Sequence, residues 1–328
     1  MYLPTFIRAL LGSVHLVLIL LLISCQTQDK PLEENTYLFL GHPYDWQSEN
    51  RIDPRLELLD FSRFKGIWLG GDICARTTKD AATLVYLDSL FDLKSSTTHW
   101  SWGNHDLVEG EEQRLLTATG KEDYYTTYLD GMQLIVLNTN LLWHHEWSPA
   151  QEACERKQAQ VDWLQQILDT VHTASHLILL HHHGLLNEFK DTTAQWGNLE
   201  TSPVRYNCEI DSDFTALFYP QLTQIRERGI PVIMISGDVG MLRKRYDLTT
   251  PHSIHLLGSG INNSLDMAYA PDYVTNFNPD SVLIIKHQPA TEQLNWSFVR
   301  LSDLVQEHLG VDDYDALSAE LKVLLKDF

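Results

Sequence analysis

Ligand-type side chains recur at the same relative place in the sequence. His42, Asp72, Asn104, His182 and Asp238 each follow an apolar run that is typical of a buried strand, with a glycine close by. Because ligands gather at the carboxyl ends of strands in open α/β sheets, these side chains are expected to converge. Imidazoles combined with oxygen donors suit Mn, Fe or Zn. One Gly-Asp pair would indicate only a turn, but its recurrence predicts a metal site.

The type and order of these motifs resemble the calcineurin-like metallophosphoesterase family. The motifs that carry the resemblance are Gly71-Asp72, Gly103-Asn104-His105-Asp106, His182-His183 and Gly237-Asp238-Val239-Gly240. The Gly-Asn-His-Asp block after a strand is the most specific of them. The resemblance spans residues 37–300 by motif order and implies an α/β fold, a layered metallophosphoesterase-like β-sandwich flanked by helices.

The resemblance also implies a role for each matching residue. Asp72 would bridge two metal ions, and Asn104 and His182 would bind the second ion. His105 would act as a general acid or stabilise the phosphoryl oxygens, and Asp106 would orient its imidazole. The implied reaction is hydrolysis of a phosphoester by a water that the metal activates.

The histidine run after the sixth strand leaves the choice of ligand open. Three adjacent side chains of His181-His182-His183 alternate between two faces, so they cannot all reach one ion. His182 matches the family, which often has His-His-Pro-Leu there, and His181 is the alternative. At least one of the three is expected to pack in the core or face solvent.

Two motifs depart from the family together, and both belong to its first metal. Leu40 replaces the aspartate of Asp-x-His, and Gly240 replaces the last histidine of Gly-His-x-His. The second site keeps its ligands, with Asp238 as a further carboxylate. We therefore expect one firmly bound divalent ion and a weak or absent second one, with His42 contacting the substrate directly.

Three functions fit these motifs. The first is a metal-dependent phosphatase or phosphodiesterase of the cell envelope, and the second is a catalytically weak or inactive binding or scaffold protein on the same fold. The third is an SGNH-type esterase, which the lack of a serine in a Gly-Asp-Ser block disfavours. The substrate of the hydrolase is an unidentified phosphoester.

The N-terminus resembles a bacterial lipoprotein signal. Arg8 precedes an apolar run over 14–23, which ends in Leu22-Ile23-Ser24-Cys25. The resemblance implies lipidation at Cys25, and Gln26 after it suggests the outer membrane, facing the periplasm or the surface. A plain membrane anchor or a cleaved signal with a chance cysteine is the alternative. The predicted organisation is a signal peptide (1–25), a tether (26–35) and a single domain (36–328).

The net charge of −20 argues against nucleic acid as a partner. Such a surface repels polyanions, and it would also repel a phosphorylated substrate unless a local cation reversed the field. A metal centre would supply that cation.

The remaining cysteines, Cys74, Cys154 and Cys208, permit one disulfide in an oxidising compartment. The sequence does not decide which two would pair. Cys74 lies two residues after Asp72, and a buried structural thiol is favoured there over a site residue.

Residues near the motifs have two interpretations each. Asp45 and Asp53 could replace the missing carboxylate, although a solvated loop is favoured. Arg76 could contact a phosphate or lie on the surface. Tryptophans could wall a cleft or belong to the core or rim, which is the ordinary place for them: Trp68, Trp100, Trp102 and Trp196.

Periodicity and turn residues predict alternating strands and helices. Strands are expected at 37–40, 66–69, 97–102, 124–129, 132–137, 177–180, 231–235, 254–257, 282–286 and 295–299. Helices are expected at 79–91, after Ser148-Pro149, near 213–228 and around Leu317, Leu321, Leu324 and Leu325. Residues 185–212 show no period and are expected to be an insertion.

Overall fold

The computed structural model describes residues 33–45, 47–142, 151–186, 208, 214–239, 245–261, 279–311 and 319–324. Within them the strands are β1 (Asn35–Leu40), β2 (Gly66–Leu69), β3 (Thr98–Trp100), β4 (Tyr125–Leu129), β5 (Met132–Val136), β6 (Leu177–His181), β7 (Val232–Ser236), β8 (Arg245–Thr249), β9 (His255–Ser259), β10 (Ser281–Gln288) and β11 (Gln293–Arg300). The helices are α1 (Ala81–Phe91), α2 (Asn104–Leu107), α3 (Glu112–Thr119), α4 (Gln151–Asp169), α5 (Phe214–Glu227), α6 (Leu301–Leu309) and α7 (Ala319–Leu324).

The strands form two mixed sheets. Their orders are β11-β10-β1-β2-β3 and β4-β5-β6-β7-β9-β8. In the first sheet β1, β2 and β3 are parallel, and β10 and β11 are antiparallel strands added on one side. In the second sheet β5, β6, β7 and β9 are parallel, and β4 and β8 pair with them antiparallel at the two edges. The predicted α/β class is confirmed at this level, as two mixed sheets flanked by helices.

An apolar layer shared by the two sheets holds them together. On β1, Tyr37 and Phe39 belong to this layer, whereas Leu38 and Leu40 belong to a second cluster with α1 and α6. Strand β6 alternates in the same way between the shared layer and a third cluster with α4 and α5. Side chains that alternate along a strand and are apolar on both faces produce this layering.

Four elements were not predicted from the sequence. Helix α2 is a single turn, which is too short to show a helical period, and β8 is an edge strand with one buried side chain, Tyr246. Helix α3 buries only Leu115 and Thr119. Helix α6 has apolar residues at helical spacing, but it follows β11 at Arg300 with no turn residue to mark its start.

Several predicted features lie outside the described residues. They are the signal segment 1–25 with Cys25, residues 26–32 of the tether, the helix start at Ser148-Pro149, most of the insertion 185–212 with Trp196, and Gly240. Contacts group Glu34–Phe328 into one compact unit. Among the described helices, none has both the length and the apolar composition needed to span a membrane.

Within the described residues, a disulfide joins Cys154, on α4, to Cys208, with 5.7 Å between their Cα atoms. Cys74 is a free thiol and fully buried, as expected, and burial raises its pKa well above the ordinary value.

A buried ion cluster fixes the loop that follows β1. Arg55 donates from Nε and Nη2 to Asp53 at 2.9 and 2.7 Å, and its Nη2 also contacts Asp280. All three side chains are at most 1% exposed. The preference for a solvated loop at Asp53 was therefore wrong. The carboxylate is the partner of an arginine that the loop itself supplies.

Replacing Arg55 by Met is expected to lower the free energy of unfolding by about 3–5 kcal/mol, because two carboxylates stay buried without their shared cation. Urea unfolding measures this loss. The matched control is Arg51→Met on the same loop, whose side chain is 55% exposed and lies 3.6 Å from Glu57. That change should cost less than about 1 kcal/mol. Equal losses in the two variants would contradict a structural role for the cluster.

Candidate metal centre

Strand ends in register place the loops of the site at one edge of the first sheet. Leu40 pairs with Leu69, and Leu69 pairs with Trp100, so β1, β2 and β3 end side by side. The loops continue this alignment, since the Gly70 amide donates to the Leu40 carbonyl at 2.7 Å. His42 and Asp72 therefore leave neighbouring strands at the same level.

Close backbone contact brings the second sheet to this edge. A Cβ on Gly237 would lie 2.0 Å from the Gly70 carbonyl oxygen, so only glycine permits the contact. His182 bonds through Nδ1 to the same Gly70 oxygen at 2.7 Å, and the Asp238 amide donates to the His182 carbonyl at 2.9 Å. The ends of β6 and β7 thus meet the loop that carries Asp72.

Four side chains converge at this junction. Nε2 of His42 lies 3.0 Å from Asp72 Oδ2 and 3.5 Å from Asp238 Oδ1, and Nε2 of His182 lies 3.4 Å from Asp72 Oδ2. Ligand atoms of His42, His182 and Asp238 all lie within 4.8 Å of one another. Metal–ligand bonds of about 2.0–2.2 Å put neighbouring ligands about 3.0–3.6 Å apart. The three distances between an imidazole and a carboxylate, at 3.0–3.5 Å, lie in this range.

Hydrogen bonding at His182 also favours a cation. The Gly70 carbonyl can only accept, so His182 Nδ1 carries a proton, and in neutral His182 a lone pair at Nε2 faces Asp72. Lone pair and carboxylate repel each other unless a proton or a metal ion lies between them. Nε2 of His42 and His182 are both buried and make no aligned hydrogen bond within the described structure. Orphaned imidazole nitrogens beside carboxylates suit a divalent metal.

The pKa values of the site residues also favour a positive charge beside Asp72. Burial alone would lower the pKa of His182, but Asp72 and Asp238 raise it to about 9. Burial likewise opposes ionisation of Asp72, yet His182 and His42 hold its pKa well below the ordinary value. Burial raises the pKa of Asp238. In the metal-free protein a proton on His182 takes the place of the cation.

His42 lies among the candidate ligand atoms, because its Nε2 is close to both carboxylates. A direct contact of His42 with the substrate stays a prediction. His42 and Asp72 have φ values of 45° and 54°, in the left-handed region. His and Asp are among the residues that tolerate this conformation, and such backbone strain is concentrated at functional sites.

The Gly-Asn-His-Asp block forms the start of α2 beside Asp72. The His105 amide donates to Asp72 Oδ1 at 2.8 Å, and the His105 ring bonds through Nδ1 to the Ala75 carbonyl at 3.0 Å. Asn104 is the first residue of α2 and is half-buried next to them. His105 is also half-buried.

Asp106 does not orient His105, and that prediction was wrong. His105 uses the Ala75 carbonyl instead, while the Asp106 carboxylate accepts from other groups at 2.6–3.1 Å: the amides of Asp72, Ile73 and Gly103, the Thr77 hydroxyl and the Trp100 indole. The aspartate therefore ties the loop after β2 to the loop after β3. Burial and the charge of Asp72 raise its pKa, and the donated hydrogen bonds oppose that rise.

The other two histidines of the run are packed. His181 bonds through Nδ1 to the His183 carbonyl at 2.7 Å, and burial lowers its pKa to about 4. The His183 ring bonds to the Thr139 hydroxyl at 2.9 Å. Of the three, His182 is the one whose Nε2 faces Asp72, because alternate residues of β6 face the shared layer between the sheets.

Most nearby side chains have structural partners. Arg76 pairs with Glu109 at 2.7 Å and with Glu49 at 3.3 Å on the surface. Asp45 is half-buried in its loop, where it accepts from the Gln47 amide. Three tryptophans belong to the core, namely Trp68, Trp100 and Trp102. Sequence reasoning missed Tyr44 and Thr77, since neither belongs to a recurring motif and both join the site only through loop packing.

Comparisons with known proteins bear on the fold alone. No protein-family model matches the chain, and no curated protein matches it. Among solved structures, the chain is similar to one described as "GAP50 the anchor in the inner membrane complex of Plasmodium". The TM-score is 0.50 at 11% sequence identity, over 82% of this chain and 85% of that chain. Such a likeness indicates a shared fold and leaves the chemistry to the site.

Metal-free protein is expected to lose stability as pH rises from about 6.5 through 9. The pKa of His182 is raised by folding, so its contribution is complete below 6.5 and is lost as pH rises through about 9. The expected loss is on the order of 3 kcal/mol. Urea unfolding in a chelator at several pH values measures it.

His182→Gln should remove this pH dependence, and His181→Gln should keep it. The pKa of His181 is lowered to about 4, so its contribution changes only as pH falls below 6.5. Identical slopes above pH 6.5 in both variants would contradict the pairing of His182 with Asp72.

Asp106→Asn is expected to lower the free energy of unfolding by about 3 kcal/mol or more, because an amide NH₂ would face buried N–H donors. Chemical denaturation measures the change, and Asp162→Asn on the exposed face of α4 is the control. A loss no larger than that of the control would show that the Asp106 contacts do not hold the loops.

Proposed function

We propose that the chain is a metal-dependent phosphoester hydrolase, a phosphatase or phosphodiesterase, and that its two sheets are the sandwich of the calcineurin-like metallophosphoesterases. The observation that carries the proposal is the convergence of His42, Asp72, His182 and Asp238 beside His105. Two imidazoles and two carboxylates would hold the ion, and the half-buried His105 imidazole lies next to them.

One divalent ion, Mn, Fe or Zn, fits the donor set, and the resemblance implies that Asn104 would add its amide oxygen. When bound, such an ion lowers the pKa of a water and polarises the phosphoryl oxygens. It also provides the positive charge that an anionic substrate needs near a chain of net charge −20. Leu40 is fully buried in the apolar cluster with α1, so it offers nothing to a second ion.

His105 is the proton donor in this proposal. Its Nδ1 donates to the Ala75 carbonyl, so His105 gives a proton from Nε2 to the leaving oxygen when the ring is in the imidazolium form. Asp72 accepts from the His105 amide and is also the carboxylate nearest to both imidazoles. One carboxylate therefore positions the start of α2 and the metal together, so the acid and the ion keep a fixed separation.

The second candidate is a catalytically weak or inactive binding or scaffold protein on the same fold. The buried Leu40, in place of a ligand carboxylate, favours it because the clamp formed by two metal ions is lost. GAP50 is described as an anchor, which is a structural role, although that description belongs to another protein.

We place the protein in the bacterial cell envelope, tethered to the outer membrane by lipid at Cys25, with the membrane as its partner. The lipobox-like Leu22-Ile23-Ser24-Cys25 supports this, and the description of GAP50 as a membrane-complex anchor agrees with it. The acidic surface supports a substrate other than nucleic acid.

Elemental analysis of residues 26–328, beside an Asp72→Ala variant, is the first test. We expect about one equivalent of Mn, Fe or Zn in the parent and none in the variant, because Asp72 is nearest to both imidazoles. The loaded protein is then assayed on p-nitrophenyl phosphate and bis(p-nitrophenyl) phosphate. Absence of bound metal after reconstitution would contradict the hydrolase proposal.

His105→Gln separates the two candidate functions. It should keep the metal and lower kcat by about 10²–10⁴-fold, since only proton transfer is removed. The control is Glu111→Gln, an exposed residue just before α3, which should change neither value. Bound metal with no turnover in the parent would favour the binding protein.

A further inference from the structure

Tyr44 belongs to none of the sequence motifs, yet it lies between two residues of the candidate site. Its ring centroid is 5.6 Å from that of His42 and 5.6 Å from that of His105. The side chain is only 2% exposed. One buried ring therefore contacts both the loop after β1 and the loop after β3.

The backbone around Tyr44 leaves the ring little freedom to move aside. Tyr44 forms an antiparallel bridge with Ile52, and the Asp53 amide donates to the Pro43 carbonyl at 2.7 Å. This small loop ends at the buried Arg55 cluster. These contacts therefore fix the position of the Tyr44 ring relative to the ends of the strands.

The two histidines depend on this ring to different degrees. His42 is held by its carboxylate neighbours at one ring edge, and Tyr44 packs on it at an interplanar angle of 57°. His105 bonds through Nδ1 to Ala75, and its plane stacks on Tyr44 at 28°. A hydrogen bond at one atom leaves rotation about that bond, and the stacked phenol ring opposes it.

We propose that Tyr44 is a positioning residue whose aromatic ring sets the spacing between the metal ligand His42 and the proton donor His105. The assignment of His105 as proton donor rests on the proposed function, whereas the ring contacts do not. The role is assigned to the aromatic ring, because the ring is the part of Tyr44 that contacts both imidazoles. Phenylalanine should therefore replace Tyr44, and a flexible side chain of similar volume should not.

The test compares Tyr44→Phe and Tyr44→Met in the full chain in detergent. Tyr44→Met should weaken Mn²⁺ affinity, measured by chelator competition, by about 10-fold or more. It should lower kcat/KM on bis(p-nitrophenyl) phosphate by about 100-fold, since a small misplacement of the acid is costly. Tyr44→Phe should stay within about threefold of the parent for both values.

Tyr86→Met is the matched control, because Tyr86 packs under Arg51 of the same loop, outside the site. It should leave Mn²⁺ affinity unchanged. Full retention of Mn²⁺ affinity and kcat/KM in Tyr44→Met would overturn the proposal. A fall of both values in Tyr44→Phe as large as that in Tyr44→Met would also overturn it, because it would assign the role to the hydroxyl.

Histidine NMR gives a readout that does not depend on enzyme activity or on folding of the Tyr44→Met variant. In chain labelled with ¹³C-histidine, and with His105 assigned through His105→Gln, the His105 ring protons should carry a ring-current shift that Tyr44→Phe preserves. A random-coil shift in the parent would overturn the proposal. If affinity and shift follow the expectation while no chain turns over substrate, the proposed function fails and the positioning role stands.

Discussion

A buried carboxylate at Asp72 lies within 3.4 Å of two imidazoles, and the ends of both sheets are organised around its charge. Asp72 is almost completely shielded from water, so its charge must be met by protein groups or by a cation. His42 comes from β1 and His182 from β6, which lie in different sheets. The requirement to neutralise one buried charge therefore links the two halves of the fold.

A second buried carboxylate stabilises the loops that carry Asp72 and His105. Asp106 accepts hydrogen bonds from both the loop after β2 and the loop after β3, whereas the His105 ring bonds to the Ala75 carbonyl. This arrangement explains how Asp72 keeps a left-handed backbone conformation, since the Asp106 carboxylate binds the amides of Asp72 and Ile73. The strain of the ligand loop is offset by hydrogen bonds that lie outside the reacting region.

The sequence predicted the strand-end positions well, because continuous apolar runs and adjacent glycines are local signals. It predicted that His42, Asp72, His182 and Asp238 would share one edge, and the described structure brings them together. It failed where a role depends on which side chain packs against which loop. Such contacts are non-local, and three of them illustrate the failure: Asp106 with backbone amides, Asp53 with Arg55, and Tyr44 with two histidines.

Charge balance sets how many ions the proposed site accepts. Asp72 and Asp238 carry two negative charges when ionised, and neutral His42 and His182 add none, so one divalent cation neutralises the set. A second ion would leave two positive charges without a carboxylate partner. Two nearby acids already have other partners, because Asp53 pairs with Arg55 and Asp106 binds backbone amides. With Leu40 in the apolar cluster, the end of β1 offers no carboxylate to a second ion in the proposed site.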